Sequence, residues 1–408
     1  MSVRDLIIVG AGPSGLSAAI AAKRRGLDYQ VLEQGVLVNS IYRFPPNLVF
    51  FTTPELLEIG GLPFVSPYDK PTRAEALKYY RKAVDTYALQ IAFEEKVLSI
   101  ATEDGEMGGD AERVFALETK SSRGIRRIRH ARTVVLAIGY YDRPNLLEVP
   151  GEDLPHVQHY YREPHPFYRQ RVLIVGGGNS AAEAALELFR AGAHVTLVHR
   201  APKLKSTIKY WVRPDIENRI KEGSITARFN TSLVEIRPTT VVVRSDGRHE
   251  ASEGREAPEL TAVLAWPAAG ERIDGSTIAQ NVAPSSSVGA IPSADGAAVA
   301  GTQGGSAATE SEAGAPASSD GAEEEISADA VFLLTGYRAD KDLMIRAGIA
   351  LNERDAPVID PHTFETNVPG LFVAGGAIAG IDTGTIFIEN GRFHGEKIVE
   401  VIARRLEV

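Results

Sequence analysis

The chain has 408 residues, 44% of them hydrophobic and 24% charged, a length that calls for two or three domains of ordinary globular composition. It contains no cysteine, which excludes structural disulfides, thiolate-ligated metals, iron–sulfur clusters and any mechanism running through a protein thiol. Its net charge of −9 is accounted for between Ile273 and Tyr337, where nine acids occur without a single Lys or Arg; the remainder is neutral and invites neither nucleic acid nor an anionic membrane.

No metal site is predicted, and no apolar run approaches the ~20 residues a membrane helix needs. The N-terminal "LIIVGAGPSG" breaks into glycines where the apolar core of a signal peptide would continue, so a cytoplasmic location is expected.

The first predicted elements are strand 5–9 ("DLIIV"), the loop Gly10-Ala-Gly-Pro-Ser-Gly15, helix 16–25, Gly26 and strand 29–33 ("YQVLE"). In such a βαβ unit Gly10 makes the tight turn, Gly12 lets the backbone approach a pyrophosphate, and Gly15 packs helix on strand. The helix N-terminus, with Pro13 and Ser14 in its first turn, supplies amides for phosphate. At the end of the second strand Glu33 can accept hydrogen bonds from an unphosphorylated ribose, which suits FAD.

"RTVVLAIGYYDRPN" (132–145) is an apolar strand running into a Gly-Tyr turn at Gly139. The first motif then returns: strand 171–175 ("RVLIV"), Gly176-Gly-Gly178-Asn179-Ser180-Ala181, helix 180–191, Gly192 and strand 194–198 ("HVTLV"). Ala181 takes the third glycine position. Where the first unit ends in Glu33, the second ends in His199 and Arg200. A carboxylate there would repel a 2′-phosphate, whereas Arg200, with Lys203 or Lys205, can pair with one, so this unit suits NADPH.

Residues 283–325 hold no aromatic residue and are dominated by Ala, Ser and Gly, a composition predicted to be disordered. "ADAVFLLTGYRAD" (328–340) repeats the strand and Gly-Tyr turn. The two Gly-Tyr segments bracket the second βαβ unit. The fold expected is therefore α/β, with two Rossmann-like dinucleotide-binding domains, the NADPH domain inserted into the FAD domain. The boundaries expected are 1–150 and 338–408 for the FAD domain and 151–337 for the NADPH domain.

"TNVPGLFVAGGAIAG" (366–380) is similar to a second FAD signature in which a strand ends at Ala-Gly-Asp, but Gly376 stands at the acid's place. Asp382 lies too far along to replace it securely, and the amides of Gly375 and Gly376 remain available to the pyrophosphate. From Gly384 a single helix is expected, capped by Thr383 or Thr385, its positive end aimed at the flavin. His394 would then lie ~15 Å from that helix's N-terminus.

Four segments, "NSIYRFPPNLVFFTTPELLEIG" (39–60), "GYYDRPNLLEVPGEDLPHVQHYY" (139–161), "GGGNSAAEAALELFRAGAHVTLVHR" (176–200) and "IFIENGRFHG" (386–395), together resemble the bacillithiol-disulfide reductase family of thioredoxin-reductase-like flavoproteins. The resemblance covers everything except the tract around 245–325. It implies an FAD- and NADPH-dependent, homo-oligomeric enzyme of redox homeostasis that reduces a low-molecular-weight thiol disulfide. It also adds Gln34, Asn39, Thr52, Val97, Gly139, Thr385 and Ile386 to the candidate FAD contacts. Members often carry a cysteine where this chain has Ser14, and a hydroxyl cannot replace a thiolate in disulfide exchange.

The expected enzyme therefore reduces its acceptor directly from the flavin. Candidates for the reactive side are Asn39, Tyr42, Phe51, Thr52, Thr53 and Thr385, with Tyr42 and Phe51 equally readable as core aromatics. Among the catalytic candidates Asn39, Thr52 and His394, the histidine is read as structural, as is His159. Two alternatives remain: a ferredoxin- or flavodoxin-NADP reductase, and a non-catalytic FAD-binding redox sensor.

Overall fold

The computed structural model describes residues 3–107, 110–245 and 321–407. The predicted disordered stretch lies outside these residues as far as 320.

The first unit is built on β1 (Val3–Val9) and α1 (Pro13–Arg24). Leu6, Ile7 and Ile8 are all buried, the near-continuous apolar run of a parallel strand covered on both faces. Pro13 sits in the first turn of α1, where its missing N–H costs nothing, and Lys23 and Arg24 close the last turn. β2 (Tyr29–Leu32), α2 (Asn39–Arg43), α3 (Arg73–Tyr87), β3 (Ile91–Ala92), β4 (Glu95–Met107), β5 (Asp110–Ser121) and β6 (Arg126–Leu136) follow. α3 opens on a reciprocal capping box between Thr72 and Glu75. The strand order is β3-β2-β1-β6-β5-β4. β1, β2 and β3 run parallel, as do β1 and β6, while β4, β5 and the first half of β6 form an antiparallel meander.

The second unit is a five-stranded parallel sheet, β10-β9-β8-β14-β7, made of β7 (Val157–Gln158), β8 (Arg171–Val175), β9 (His194–Val198), β10 (Thr226–Arg228) and β14 (Ala330–Leu333). Along β8, Val172 and Ile174 face α4 (Asn179–Arg190), while Leu173 points to the opposite core. That period of two lets one strand serve two layers. The opposite layer is the antiparallel sheet β11 (Thr231–Ile236), β12 (Thr240–Ser245) and β13 (Glu323–Ser327); α5 (Arg213–Lys221) lies in the loop after β9.

β13 corrects the disorder expected to run to 325. Its three glutamates are poor strand formers taken alone, but the register sets each near an arginine: Glu323 with Arg244 (2.7 Å), Glu324 with Arg228 (3.1 Å) and Glu325 with Arg237 (3.3 Å).

The chain then returns to the first sheet. After α6 (Lys341–Arg346), β15 (Leu371–Val373) pairs in parallel with the second half of β6. α7 (Ile388–Gly391) and α8 (His394–Arg405) end the chain, and α8 packs on α1. The single helix expected from Gly384 is thus two helices with a break, and neither Thr383 nor Thr385 caps one. Asn390 accepts from the Phe387 N–H (2.8 Å) and donates to the Thr385 carbonyl (3.0 Å), while the Thr385 hydroxyl turns back to the Asp382 carbonyl (2.9 Å). These side-chain bonds take the place of the helical ladder.

The connecting segments meet each other. Pro144 bridges to Tyr337, the Asn145 N–H donates to the Gly336 carbonyl (3.0 Å), and the Tyr160 and Tyr337 rings stack at 5.4 Å.

Candidate active site

The three glycines of the first loop do different work. A Cβ on Gly10 would lie 2.4 Å from the Ala137 carbonyl oxygen, and one on Gly15 would lie 2.0 Å from that of Gly10, so both are required for packing. A Cβ on Gly12 would meet nothing within 4 Å. Gly12 is also the N-cap of α1 and provides no side-chain cap, as Pro13 provides no N–H. The loop therefore presents open space in front of uncapped helix amides, the arrangement that accepts a phosphate.

Glu33 lies beneath this loop at 5% exposure, its two carboxylate oxygens accepting from the N–H groups of Ala11 and Gly35, each at 2.8 Å. Burial pushes its carboxyl above the ordinary range, against the pull of those two amides. Val38, in the left-handed region at φ 46°, donates its N–H to the Ala11 carbonyl and sets the start of α2. Asp142 gathers the neighbouring polar groups: Gln34 Nε2 (2.9 Å), Asn39 Nδ2 (3.1 Å) and Arg43 Nη1 (3.2 Å). Sequence reading missed Asp142. Its signal was the acid directly after the Gly139-Tyr140-Tyr141 turn.

The C-terminal segment closes on the same loop. Gly375 has φ +69°, and a Cβ there would lie 2.4 Å from Ser14 Oγ. A Cβ on Gly391 would lie 3.2 Å from Gly375 Cα and 3.3 Å from Ser14 Oγ; one on Gly395 would strike the α1 backbone at Ala18. His394, the first residue of α8, is thereby brought to the loop rather than held a helix's length away. Its Nδ1 accepts the Gly375 N–H (3.2 Å) and its ring stacks on Phe364 at 4.4 Å. Burial pushes the imidazole down to about 4.

A Cβ on Gly376 would meet the Tyr140 ring at 2.6 Å. Asp382 is engaged by Arg354 in a bidentate ion pair. Thr52 is buried, Thr385 is exposed, and Ile386 is half-buried. Val97 belongs to the buried core of the first unit, and a Cβ on Gly139 (φ +61°) would meet nothing within 4 Å. Phe51 and Tyr42 are exposed rather than core, and Phe51 packs edge-on to Phe387 at 5.4 Å. His159 lies 3.6 Å from Glu152.

Two further residues at this place were not found from sequence, because they arrive from the far end of the chain. Arg392 donates through Nη1 to the carbonyls of Glu55 (2.7 Å) and Glu58 (2.6 Å), clamping the segment after Thr52 to the C-terminal helices. Glu389, one turn earlier, is half-buried, and burial raises its carboxyl above the ordinary range.

The second glycine loop repeats the logic of the first. A Cβ on Gly176 would lie 2.5 Å from the Leu334 carbonyl oxygen and 3.0 Å from the Ala181 methyl. Gly178, the uncapped N-cap of α4, faces only the Lys205 stem, at 3.8 Å. His199 is 7% exposed, its ring lies under Gly177, and its Nε2 has no partner among the described residues. Burial and the Lys205 and Arg200 charges keep it neutral to below its usual pH range. Asn179 ties down the following loop, donating to the Thr207 carbonyl (3.0 Å) and accepting from the Lys209 N–H (2.8 Å). Ser180, Arg200, Lys203 and Lys205 are exposed, and among the described residues these three cations make no ion pair. Lys209, paired with Glu183 on α4, also donates to the Val49 carbonyl (3.2 Å), linking this loop to the segment before Thr52.

Both loops thus fit a dinucleotide, and among the described residues no group of side chains fits a metal ion. No helix of the described residues is long and apolar enough to cross a membrane.

Comparison with known proteins agrees with this geometry. The bacilliredoxin reductase Bdr of Bacillus subtilis (strain 168) is 33% identical over 400 residues, 98% of this chain and 97% of that protein. The structure of the bacillithiol disulfide reductase Bdr of Bacillus cereus superposes with a TM-score of 0.77 at 31% identity, covering 99% of this chain and 100% of that one. A ferredoxin–NADP reductase of Ignicoccus hospitalis is more distant, 25% identical over 54% of this chain and 63% of its own length. The family described as pyridine nucleotide-disulphide oxidoreductase matches residues 7–264 and 306–375. The chain belongs to this pyridine nucleotide-disulphide oxidoreductase family, enzymes that work with a flavin and a nicotinamide coenzyme.

Proposed function

We propose that the protein is a cytoplasmic, homo-oligomeric flavoprotein that uses FAD and NADPH to reduce the disulfide of a low-molecular-weight thiol, bacillithiol disulfide, without a protein thiol. The observation that carries the reading is the contrast between two uncapped glycine loops built alike but ending differently. One is backed by the buried carboxylate of Glu33, the other by neutral His199 with Arg200, Lys203 and Lys205, which form no ion pair among the described residues.

In this reading Gly10, Gly12, Pro13, Ser14 and Gly15 hold the FAD pyrophosphate on the α1 amides, and Glu33 accepts from the adenosine ribose hydroxyls. Gln34 and Asn39, oriented by Asp142, border that half. Gly139, Thr52, Gly375, Gly376, Thr385 and Ile386 border the other half, with Val97 supporting from the core. Gly176, Gly178, Asn179, Ser180 and Ala181 form the NADPH cradle, and His199, Arg200 and Lys205 receive the 2′-phosphate. A flavin held at the first loop would supply the two-electron transfer from nicotinamide to the disulfide. The chain's part is to orient the two ligands, exclude water and manage protons, since no cysteine exists to form a mixed disulfide.

The test is NADPH oxidation by the FAD-loaded protein with bacillithiol disulfide, quinones, ferredoxin and oxygen offered separately. Turnover that depends on bacillithiol disulfide supports the reading. Rapid reduction of ferredoxin without it would make the protein an electron transferase. A flavin that NADPH does not bleach would make it a sensor.

A further inference from the structure

Electron transfer between two bound coenzymes depends on how closely one is held against the other, and a misplacement of about 1 Å can cost about a hundredfold in rate. In this chain the two glycine loops belong to different sheets, and the backbone passes between those sheets twice, after β6 and after β14. The two crossings pair with each other, through Pro144 with Tyr337 and through the Asn145 N–H to the Gly336 carbonyl. By themselves they make a joint; contacts outside the crossings fix its angle.

Such contacts are made by two lysines reaching in opposite directions. Lys209, in the loop after β9, is fixed to the second glycine loop through its backbone. Its N–H donates to Asn179 Oδ1 (2.8 Å), and Asn179 Nδ2 donates to the Thr207 carbonyl two residues earlier (3.0 Å). Ile208 and Val212, on either side, are buried in the core beneath α4. The Lys209 side chain, only 11% exposed, pairs with Glu183, one turn along α4 from Asn179, and its Nζ crosses to the Val49 carbonyl (3.2 Å). Lys70 reaches the other way. Its Nζ donates to the Phe51 carbonyl (3.0 Å) and lies over the ring of Trp211, 3.8 Å from the centroid. A cation held over an indole face is attracted by the ring's quadrupole.

The carbonyls these lysines take belong to one short segment. Val49 bridges to Thr72, and the Phe50 N–H donates to the Pro71 carbonyl (3.0 Å), so the segment is tied to the chain leading into α3. Thr52 follows directly, is buried, and borders the region assigned above to the flavin. Asn179, in the coenzyme cradle, is thus joined to Thr52 through one hydrogen bond, one lysine side chain and three residues of tied backbone. An exposed lysine contact contributes little alone. Lys209 differs because Asn179, Glu183 and Val49 hold it at both ends.

We propose that Lys209 is a positioning residue: with Lys70 and Trp211 it clasps the second glycine loop to residues 49–51 and so sets how the coenzyme in one cradle meets the flavin in the other. This rests on the flavin-reductase reading above and is independent of the acceptor.

The test uses the FAD-loaded protein with Lys209→Met, which keeps the stem and the backbone bond to Asn179 but loses the ammonium's partners, and Lys209→Arg, which keeps a cationic donor. The first readout needs no turnover: hydrogen exchange in the peptides spanning 46–53 and 205–213. Lys209→Met should speed exchange in both, above all at the Phe50 amide, and Lys209→Arg should do so less. The second readout separates affinity from rate. The dissociation constant for NADP+ should stay within about twofold of wild type, while flavin bleaching at saturating NADPH should fall about tenfold or more in Lys209→Met and recover in part in Lys209→Arg. If Lys209→Met does not fold, Lys70→Met, which leaves α4 and its ion pair untouched, carries the same expectations. Faster exchange confined to 205–213, an unchanged bleaching rate, or affinity falling in step with the rate each overturns the proposal. A wild-type flavin that NADPH does not bleach defeats the reductase reading instead, and faster exchange in both peptides would then still support the clasp.

Discussion

The ring of Tyr140 stands where any side chain on Gly376 would have to go, 2.6 Å from the Cβ that residue lacks. In the flavoproteins this segment resembles, an acid occupies that position; here the space belongs to an aromatic ring from the end of β6. Gly376→Asp should therefore not restore a missing contact. It should force Tyr140 out of place, costing about 1–3 kcal/mol of overpacking. Thermal unfolding and FAD retention of Gly376→Asp should both fall, and Gly376→Asp with Tyr140→Ala should recover part of each. A single variant as stable and flavin-replete as wild type would show that the ring yields freely.

His394 gives a prediction with a sign. Unfolded, its imidazole takes up a proton near pH 6.5. Folded, it does so only near pH 4, because it is buried against Phe364 and the Gly375 N–H. Between those values the unfolded chain binds more protons, so stability falls as pH falls through that window and is unaffected above it. The full cost is roughly 3 kcal/mol, of which about 2 appears between pH 6.5 and 5. His394→Asn keeps an acceptor for Gly375 and removes the titration. Denaturant unfolding at pH 7 and pH 5 should show a smaller loss in the variant; equal losses would mean that other groups set the acid limb.

The parts of this molecule legible in its sequence are those where neighbours in the chain do the work. Gly10, Gly12 and Gly15 sit in one turn, Glu33 ends the next strand, and Gly176 to Arg200 repeat the pattern, so local spacing alone exposes two cradles. What sequence could not show arrives across long separations. Asp142 collects Gln34, Asn39 and Arg43 from about a hundred residues away. Arg392 holds carbonyls at 55 and 58. The two structural misreadings share a cause in side-chain bonding. Asn390 and Thr385 dismantle a helix that periodicity favoured, and three arginines rescue a strand of glutamates that composition condemned.

Coenzyme preference should follow the exposed cations at the second loop. Arg200 has no carboxylate partner among the described residues and follows the buried His199 directly. If it meets the 2′-phosphate, Arg200→Ala should lower kcat/KM for NADPH by about tenfold or more while leaving NADH nearly unchanged. Salt should weaken the wild-type preference and have less effect on the variant. An unaltered NADPH/NADH ratio would assign the selection elsewhere, with Lys203 and Lys205 next to be replaced.

Ser14 and Gly375 set the last test. The serine's Oγ lies close to Gly375 and Gly391 and makes no hydrogen bond to another described residue, so no neighbouring protein group depends on it. Ser14→Ala should retain FAD and change kcat by less than about fivefold, under roughly 1 kcal/mol in the barrier. Gly375→Ala is the opposite case: φ of +69° costs an alanine about 1–2 kcal/mol, and its methyl would lie 2.4 Å from Ser14 Oγ. Adding Ser14→Gly should relieve the collision but not the backbone strain, recovering part of the stability. A large fall in kcat for Ser14→Ala with FAD fully bound would give the hydroxyl a chemical role, and electrons would then not pass from flavin to acceptor unaided.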